Sequence, residues 1–184
     1  MAKKNMDIQQ HILDVAEDLF NQHGFNVVGV DLIRDEAKVS KTTLYRRFGD
    51  KLGLVEAVLH RRHVRFEQML DEVVSAHDCP KDKISAILDW HFDWFGSPQF
   101  KGCMFMHAQS EFKCTKQKPS EIAVDHKAWL LSLFIRALGE NQVNAQKHAE
   151  MLLTFFEGMI VRAEFGCILH DKAFYRSACL KLLP

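Results

Sequence analysis

The chain lacks any run of 18 or more consecutive apolar residues, which is the length a membrane-spanning helix needs. Its first residues, MAKKNMDIQQH, also lack the apolar stretch of a secretory signal peptide. No nucleophile elbow, phosphate-binding loop, pair of carboxylates or His-rich metal motif occurs. We therefore expect a cytoplasmic protein with no membrane partner, no catalytic site, no cofactor and no bound metal.

Cysteine is scarce and scattered, with five residues, an odd number, and no C-x-x-C pair. This usage predicts reduced thiols and no disulfide framework. Two alternatives stay open at this point. One is a redox switch through Cys103 and Cys114. The other is a metal-responsive site, since Cys103 and His107 are four residues apart and share a helix face.

A net charge is absent as well, because 24 basic residues balance 24 acidic ones. A zero sum by itself argues against a nucleic-acid binder, but the distribution is uneven. Five basic residues and one acidic residue lie between Lys38 and Lys51. Such a local basic cluster is typical of a DNA-facing surface. A second basic run lies at least ~15 Å further along a helix and is predicted to be a solvated face. It comprises Arg61, Arg62, His63 and Arg65.

Every periodic segment has the helical period, and no alternating strand pattern, internal repeat or low-complexity tract occurs. The sequence therefore predicts an all-α fold of about nine helices. Residues 1–50 are predicted to be a helix-turn-helix domain. Residues 51–184 are predicted to be a helical effector-binding and dimerisation domain, in which 51–77 is a linking helix. The predicted helices are Met6–His23, Val30–Ala37, Ser40–Phe48, a long helix to Ala76, one that ends at Gly96, Gly102–Phe112, Glu121–Leu138, Asn144–Gly166 and Asp171–Leu182.

The segment Val30–Lys51, VDLIRDEAKVSKTTLYRRFGDK, carries the strongest functional signal. It predicts two short helices joined by a tight turn, with Ser40 as the N-cap of the second helix. Apolar Val39 and Leu44 would anchor that helix from below. The hydroxyl, phenol and basic groups of Lys41, Thr42, Thr43 and Tyr45 would then face outward, where they suit phosphates and base edges. Lys51 starts the next helix, which Asp50 can cap and whose free N–H groups already favour a phosphate.

Spaced side chains over about the first third of the chain form a specific pattern. They are Ile12, Ala16, Leu19, Phe20, Gly24, Phe25, Ile33, Glu36 and Ala37, then the run Val39–Tyr45, and then Phe48, Lys51 and Leu54. With this pattern, the segment Ile8–Leu59 resembles the DNA-binding head of the TetR (tetracycline-repressor) family of bacterial transcription regulators. The resemblance implies a homodimer, usually a repressor, that releases DNA when its body binds a small molecule. It also implies DNA contacts from Ser40, Lys41, Thr42, Thr43, Tyr45 and Arg46, with Lys51 on a phosphate.

The chain departs from the family pattern at three positions. Gly29 replaces the usual Ser or Thr, which removes a helix cap and a phosphate contact. Arg34 replaces a small residue. Lys38 replaces a Gly in a turn that tends to need a positive φ, at a cost of ~1 kcal/mol. We add Arg34 and Lys38 to the predicted phosphate contacts.

The body carries many aromatic side chains. Its segment Gly102–Ala108, followed by Glu111 and Phe112, resembles a cavity-lining segment in one branch of the family. The sequence thus predicts a pocket for an apolar or aromatic effector, oriented by few polar groups such as Glu111, although aromatics at helical spacing also form ordinary core. The predicted effector-binding residues are Trp90, His91, Trp94, Met104, Met106, His107, Phe112 and Trp129.

A helix near the C-terminus is apolar all round, which predicts that a partner helix covers part of it. The resemblance likewise assigns the dimer interface to the last two long helices. The predicted interface residues are Met151, Phe155, Gly158, Met159 and Phe174. Two heads on one dimer would span adjacent major grooves, so the operator should be a near-palindrome.

The leading hypothesis is therefore a dimeric repressor that a small hydrophobic or aromatic effector releases from a palindromic operator. A ligand-independent architectural or adaptor DNA-binding dimer is an alternative. A redox- or metal-responsive regulator is another, and an enzyme is the least supported class.

Overall fold

The computed structural model describes residues 2–115, 117–167 and 170–184, with the backbone alone at residues 2–6 and 115. Nine α-helices and one short 3₁₀ helix, Lys113–Thr115, occur in these described ranges, which contain no strand. The predicted all-α fold is confirmed. The helices are α1 Ala2–His23, α2 Val30–Ala37, α3 Lys41–Phe48, α4 Lys51–Ser75, α5 Pro80–Phe95, α6 Met104–Phe112, α7 Lys118–Leu138, α8 Ala145–Glu164 and α9 Lys172–Leu180. None of the described helices is long and apolar enough to cross a bilayer.

Side-chain caps explain where several helices begin. The Ser40 hydroxyl accepts a hydrogen bond from the Thr43 N–H and starts α3, as the sequence predicted. The Asp50 carboxylate accepts from the Gly53 N–H at 2.8 Å at the start of α4. Before α9, the Asp171 carboxylate accepts in the same way from Phe174. Each cap satisfies a backbone donor that the first turn of a helix leaves free.

The described residues form two compact units. The first comprises Met1–Val64 and Met104–Val124. Its core includes Phe20, Phe25 and Ile33, which are at most 1% exposed. Further buried apolar side chains of this unit come from α1 to α4, from the α1–α2 connection and from α6, namely Ile12, Leu13, Ala16, Val28, Ala37, Leu44, Leu54, Val55, Val58, Leu59, Met104, Phe105 and Ala108.

The second unit comprises Arg65–Cys103 and Asp125–Pro184. Its core is a cluster of buried side chains from α4, α5, α7, α8 and α9. The Phe134 and Phe156 rings lie 5.1 Å apart at their centroids in this cluster. The predicted functional division at residue 50 stays a prediction.

We expect Leu44→Ala to lower the free energy of unfolding by about 2–5 kcal/mol, because it empties the buried site beneath α3. Denaturant unfolding followed by circular dichroism measures the change. Leu32→Ala on neighbouring α2 is the matched control, since Leu32 is exposed and should cost less than about 1 kcal/mol. Equal losses in the two variants would contradict this account of how α3 is held.

Candidate nucleic-acid interface and effector region

Helix α3 presents a polar and basic surface. Of its eight residues, all described by the structure, Leu44 alone is buried. Four predicted DNA contacts are exposed, and they are Lys41, Thr42, Tyr45 and Arg46. Thr43 is half-buried. Two hydroxyls, a phenol and two cations therefore lie in or near one exposed strip, a composition suited to phosphates and base edges.

Ser40 and Thr43 also have local partners. The Ser40 hydroxyl caps α3, and the two side-chain oxygens lie 2.8 Å apart. Both groups are thereby held in fixed positions at the N-terminus of the helix. Their hydroxyls act first as structural groups, and a ligand would meet a preformed edge.

Asp31 on α2 neutralises part of the basic charge. Its carboxylate lies 2.8 Å from the Lys41 ammonium and 2.8 Å from the Arg34 guanidinium. The hydrogen bond from Lys41 is the main reason that the pKa of Asp31 is lowered. Arg34 also forms an ion pair with Asp35. A phosphate that approached Arg34 or Lys41 would thus compete with acidic groups of the same chain.

The departures at Gly29 and Lys38 have the expected backbone consequences. Gly29 precedes α2 without a side-chain cap. Lys38 has φ 53° and ψ 42°, which is the left-handed region that usually favours glycine. The sequence-based expectation of a positive φ at Lys38 is confirmed. Its side chain is exposed, as a predicted phosphate contact must be.

Lys51 is held at the start of α4. Its ammonium donates to the Asn26 carbonyl oxygen at 3.2 Å. Burial lowers the pKa of Lys51, while the Glu111 carboxylate acts in the opposite direction. Gly53 is a residue that sequence reasoning missed. A Cβ there would lie 2.1 Å from the Phe48 carbonyl oxygen, so only glycine lets the end of α3 approach α4 this closely. A glycine inside a helical pattern is the signal that could have shown it.

The second basic run is not a uniformly solvated face. Arg61 forms ion pairs with Asp14 and Glu17 on α1, and Arg62 pairs with Glu17 at 2.8 Å. Arg62 is only 6% exposed, so the prediction of a solvated side chain is wrong for it. Burying this guanidinium is tolerable because the Glu17 carboxylate is buried beside it.

Four predicted effector-binding residues lie in the second unit, and these are Trp90, His91, Trp94 and Trp129. The rings of Trp90 and Trp94 pack edge-on against Phe66 at 5.3 and 5.4 Å. Trp129 is 5.5 Å from His126, another neighbour of Phe66. The three tryptophans are half-buried and retain some accessible surface.

The other four predicted effector residues lie on α6 in the first unit. They are Met104, Met106, His107 and Phe112. Met104 is buried, whereas Met106 and His107 are half-buried. Phe112 packs against Phe25, with ring centroids 5.7 Å apart. Glu111, expected to orient a ligand, instead bonds to the backbone of Phe25 and Asn26.

His91 is a buried polar side chain of the second unit. His91 Nδ1 lies 2.8 Å from the Ile87 carbonyl oxygen, and the ring packs on Phe156 at 4.7 Å. Burial, with a smaller contribution from the Lys127 ammonium, lowers the pKa of His91 to about 4.

Lys127 is the cation whose charge acts on His91. Its ammonium lies 3.7 Å from Cys103 Sγ and 3.1 Å from the Glu157 carboxylate. Burial lowers the pKa of Lys127, but interactions with Cys103 and Glu157 outweigh it and raise the pKa overall. Among the side chains that the structure describes, no group of three or more His, Cys, Asp or Glu could hold a metal ion. Both the redox and the metal response stay predictions.

The predicted dimer residues lie on α8 and α9. Met151 and Phe174 are exposed, and Phe155 is half-buried. An ideal Cβ at Gly158 would meet no atom within 4 Å, so another helix has room to approach. Met159 differs, because it is 2% exposed and belongs to the core of its own unit. Its side chain is therefore not available to a partner.

The N-terminal region matches a known family. The profile described as "Bacterial regulatory proteins, tetR family" matches residues 12–58. The HTH-type transcriptional activator FasR of Mycolicibacterium smegmatis is 30% identical over 83 residues, which are 45% of this chain and 38% of FasR. The HTH-type transcriptional repressor NemR of Escherichia coli is 26% identical over 141 residues, which are 75% of this chain and 70% of NemR. The first match thus spans under half of the relative.

Solved structures share the fold over nearly the whole chain. The reduced form of E. coli NemR has a TM-score of 0.82 at 20% identity, covering 96% of this chain and 97% of that one. A cysteine mutant of the TetR-family regulator CifR, complexed with 26-bp double-strand operator DNA, has a TM-score of 0.82 at 16% identity. The shared lengths are 95% of this chain and 96% of that chain.

The buried His91 predicts a pH-dependent stability. In the unfolded chain His91 has the ordinary histidine pKa of ~6.5. In the folded chain the pKa of His91 is about 4, so between these two pH values only the unfolded chain binds a proton there. Stability is therefore lost as the pH falls, by about 2–3 kcal/mol between pH 7 and 4.5. Denaturant unfolding at both values should show that His91→Gln removes this part of the loss. The exposed His60→Gln is the control, and an identical pH dependence in all three proteins would contradict the assignment.

Proposed function

We propose that this chain is a member of the TetR family of bacterial regulatory proteins and that it regulates transcription by binding an operator in duplex DNA. The observation that carries the proposal is the surface of α3. That helix holds one apolar side chain in the core and leaves Lys41, Thr42, Tyr45 and Arg46 exposed beside a capped N-terminus. In a helix-turn-helix protein, the corresponding helix enters the major groove.

The contacts divide by chemistry. Lys41, Arg46 and Lys51 supply positive charge for phosphates and fix the register on the duplex. Thr42 and Tyr45 supply a hydroxyl, a methyl and a phenol that can reach base edges or phosphates. Arg34 and Lys38 add charge beside them, although Arg34 must exchange two carboxylates for a phosphate. Operator recognition thus combines a modest electrostatic attraction with a few groove contacts.

We also propose that the protein is a repressor and that a bound effector releases it from DNA. NemR, which matches three quarters of this chain, is named a repressor. The half-buried tryptophans around Phe66 supply aromatic surface for an apolar or aromatic effector. Such an effector releases DNA if it binds the DNA-incompetent state more tightly than the competent one. The protein would act in the cytoplasm, where a bacterial chromosome lies, and would catalyse no reaction.

The proposed regulator is a homodimer through α8 and α9. The Phe155 and Phe174 rings both neighbour Tyr175, at 6.3 and 5.5 Å, so the two helices share an aromatic face. With Met151 and the open space at Gly158, this face can accept the same helices of a second copy. A two-fold dimer would then bind half-sites about 34–36 Å apart.

Selection from a random pool of duplex DNA tests the proposal, because such a pool contains every short candidate operator sequence. The wild-type protein should enrich one near-palindromic sequence. At fixed salt, Lys41→Ala should then weaken binding to that duplex roughly 10-fold and reduce the slope of log K against log salt by about 0.9. Lys81→Ala, an exposed lysine on α5, is the matched control. Failure to enrich any sequence would overturn the assigned function.

We expect Met151→Glu combined with Phe174→Glu to give monomers, because a dimer would bury both carboxylates against apolar groups. Light scattering with size-exclusion chromatography measures the mass. Val143→Glu is the control, since Val143 is 79% exposed outside the proposed face. A dimer that survives the double substitution would place the interface elsewhere.

A further inference from the structure

The α1–α2 turn is held by a side chain from far along the chain. The Phe25 N–H donates to Glu111 Oε1 at 3.0 Å, and the Asn26 N–H donates to Glu111 Oε2 at 2.6 Å. The carboxylate therefore accepts from two consecutive backbone N–H groups, one on each oxygen. Such a pair of N–H groups forms a small anion-binding site, which here binds a carboxylate of the same chain.

The turn is shaped around this carboxylate. Gly24 has φ +84°, and a Cβ there would lie 3.1 Å from Glu111 Oε1. Gly24 thus allows both the left-handed backbone and the close approach of the carboxylate. Beside it, Phe112 packs on Phe25, which in turn packs on Phe20 of α1 at 5.2 Å. One polar and one aromatic contact therefore join the end of α6 to the same turn.

The turn leads directly to a proposed phosphate contact. The Asn26 N–H donates a hydrogen bond to Glu111. The Asn26 carbonyl oxygen accepts a hydrogen bond from the Lys51 ammonium at 3.2 Å. The Glu111 charge also favours the protonated form of Lys51 against its burial, as the opposing effects on the Lys51 pKa indicate. Glu111, Asn26 and Lys51 thus form one continuous chain of interactions.

We infer that Glu111 is a positioning residue for DNA binding, through which α6 fixes the α1–α2 turn and the Lys51 ammonium. The inference rests on the proposed function and adds to it a named residue that touches no DNA. A shift of α6 that removed both carboxylate oxygens would release two backbone donors and the anchor of Lys51. DNA affinity would fall without any change in α3.

Glu111→Gln tests the inference, because the amide keeps the shape but offers one acceptor oxygen and a donor group in place of two acceptors. On the duplex selected by the wild-type protein, we expect roughly 10-fold weaker binding at fixed salt. We also expect the slope of log K against log salt to fall by about 0.9, the contribution of one phosphate contact. A purely structural role would lower the melting temperature but leave that slope unchanged.

Control variants and a hydrogen-exchange measurement distinguish a positioning role from a purely structural one. Glu121→Gln is the matched control, since Glu121 is exposed and pairs with Lys118 one turn away. Lys51→Ala should reduce the slope by the same amount, and Glu111→Gln in that background should reduce it no further. Hydrogen exchange without DNA should show faster exchange at the Phe25 and Asn26 amides in the Glu111 variant. If Glu111→Gln does not fold, Glu111→Asp is measured in its place. We expect a smaller loss of DNA affinity in that variant, because the carboxylate is kept.

The outcomes distinguish a failure of the Glu111 inference from a failure of the proposed DNA-binding function. Wild-type binding with unchanged affinity and slope in the Glu111 variants overturns this inference and leaves the DNA-binding function intact. No enrichment of DNA by the wild-type protein overturns the function and the inference together. A reduced slope that is shared with Lys51→Ala and is not additive with it supports both.

Discussion

The burial of Leu44 is the constraint on which the proposed DNA-binding surface depends. Helix α3 has eight residues, too few to be stable alone in water. It forms because Leu44 enters the core of the first unit, with the Ser40 cap at one end and the close approach to Gly53 just beyond the other. The orientation of the exposed side chains on α3 follows from the Leu44 anchor together with these two end contacts. The same arrangement allows the outward residues to be substituted without emptying the core beneath the helix.

Local features were predictable from the sequence, and distant ones were not. Helix α2 has the predicted bounds, and the caps at Ser40 and Asp50 were predicted, because their signals lie within a few residues. The left-handed Lys38 was likewise expected from its turn. The Glu17–Arg62 pair joins residues 45 apart, and the Glu111–Phe25 bond joins residues 86 apart. Periodicity indicates which face of a helix is apolar but does not name the buried ion pair or the carboxylate that crosses to another element.

The side chains of the proposed effector region could also be only partly assigned from the sequence. Trp90, His91 and Trp94 were predicted to bind an effector, but helical spacing is identical for packed aromatics and for those that line a pocket. The structure adds the contacts with Phe66 and the burial of His91. Glu111 was expected among the ligand-orienting groups, and its carboxylate binds a backbone turn instead. The Glu111 carboxylate thus holds the backbone of the α1–α2 turn.

Asp31 gives the α3 surface a property that net charge does not reveal. Its carboxylate already occupies Lys41 and Arg34, so a DNA phosphate gains an ion pair only by breaking another. On the proposed function, attraction to DNA of arbitrary sequence would be weakened, because phosphate contacts supply most of non-specific binding. At the operator, contacts with base edges in the groove would add binding free energy to this replacement of a carboxylate by a phosphate, and the complex would then be favoured. A regulator built this way would spend less time on the rest of the chromosome than one whose Lys41 and Arg34 had no carboxylate beside them.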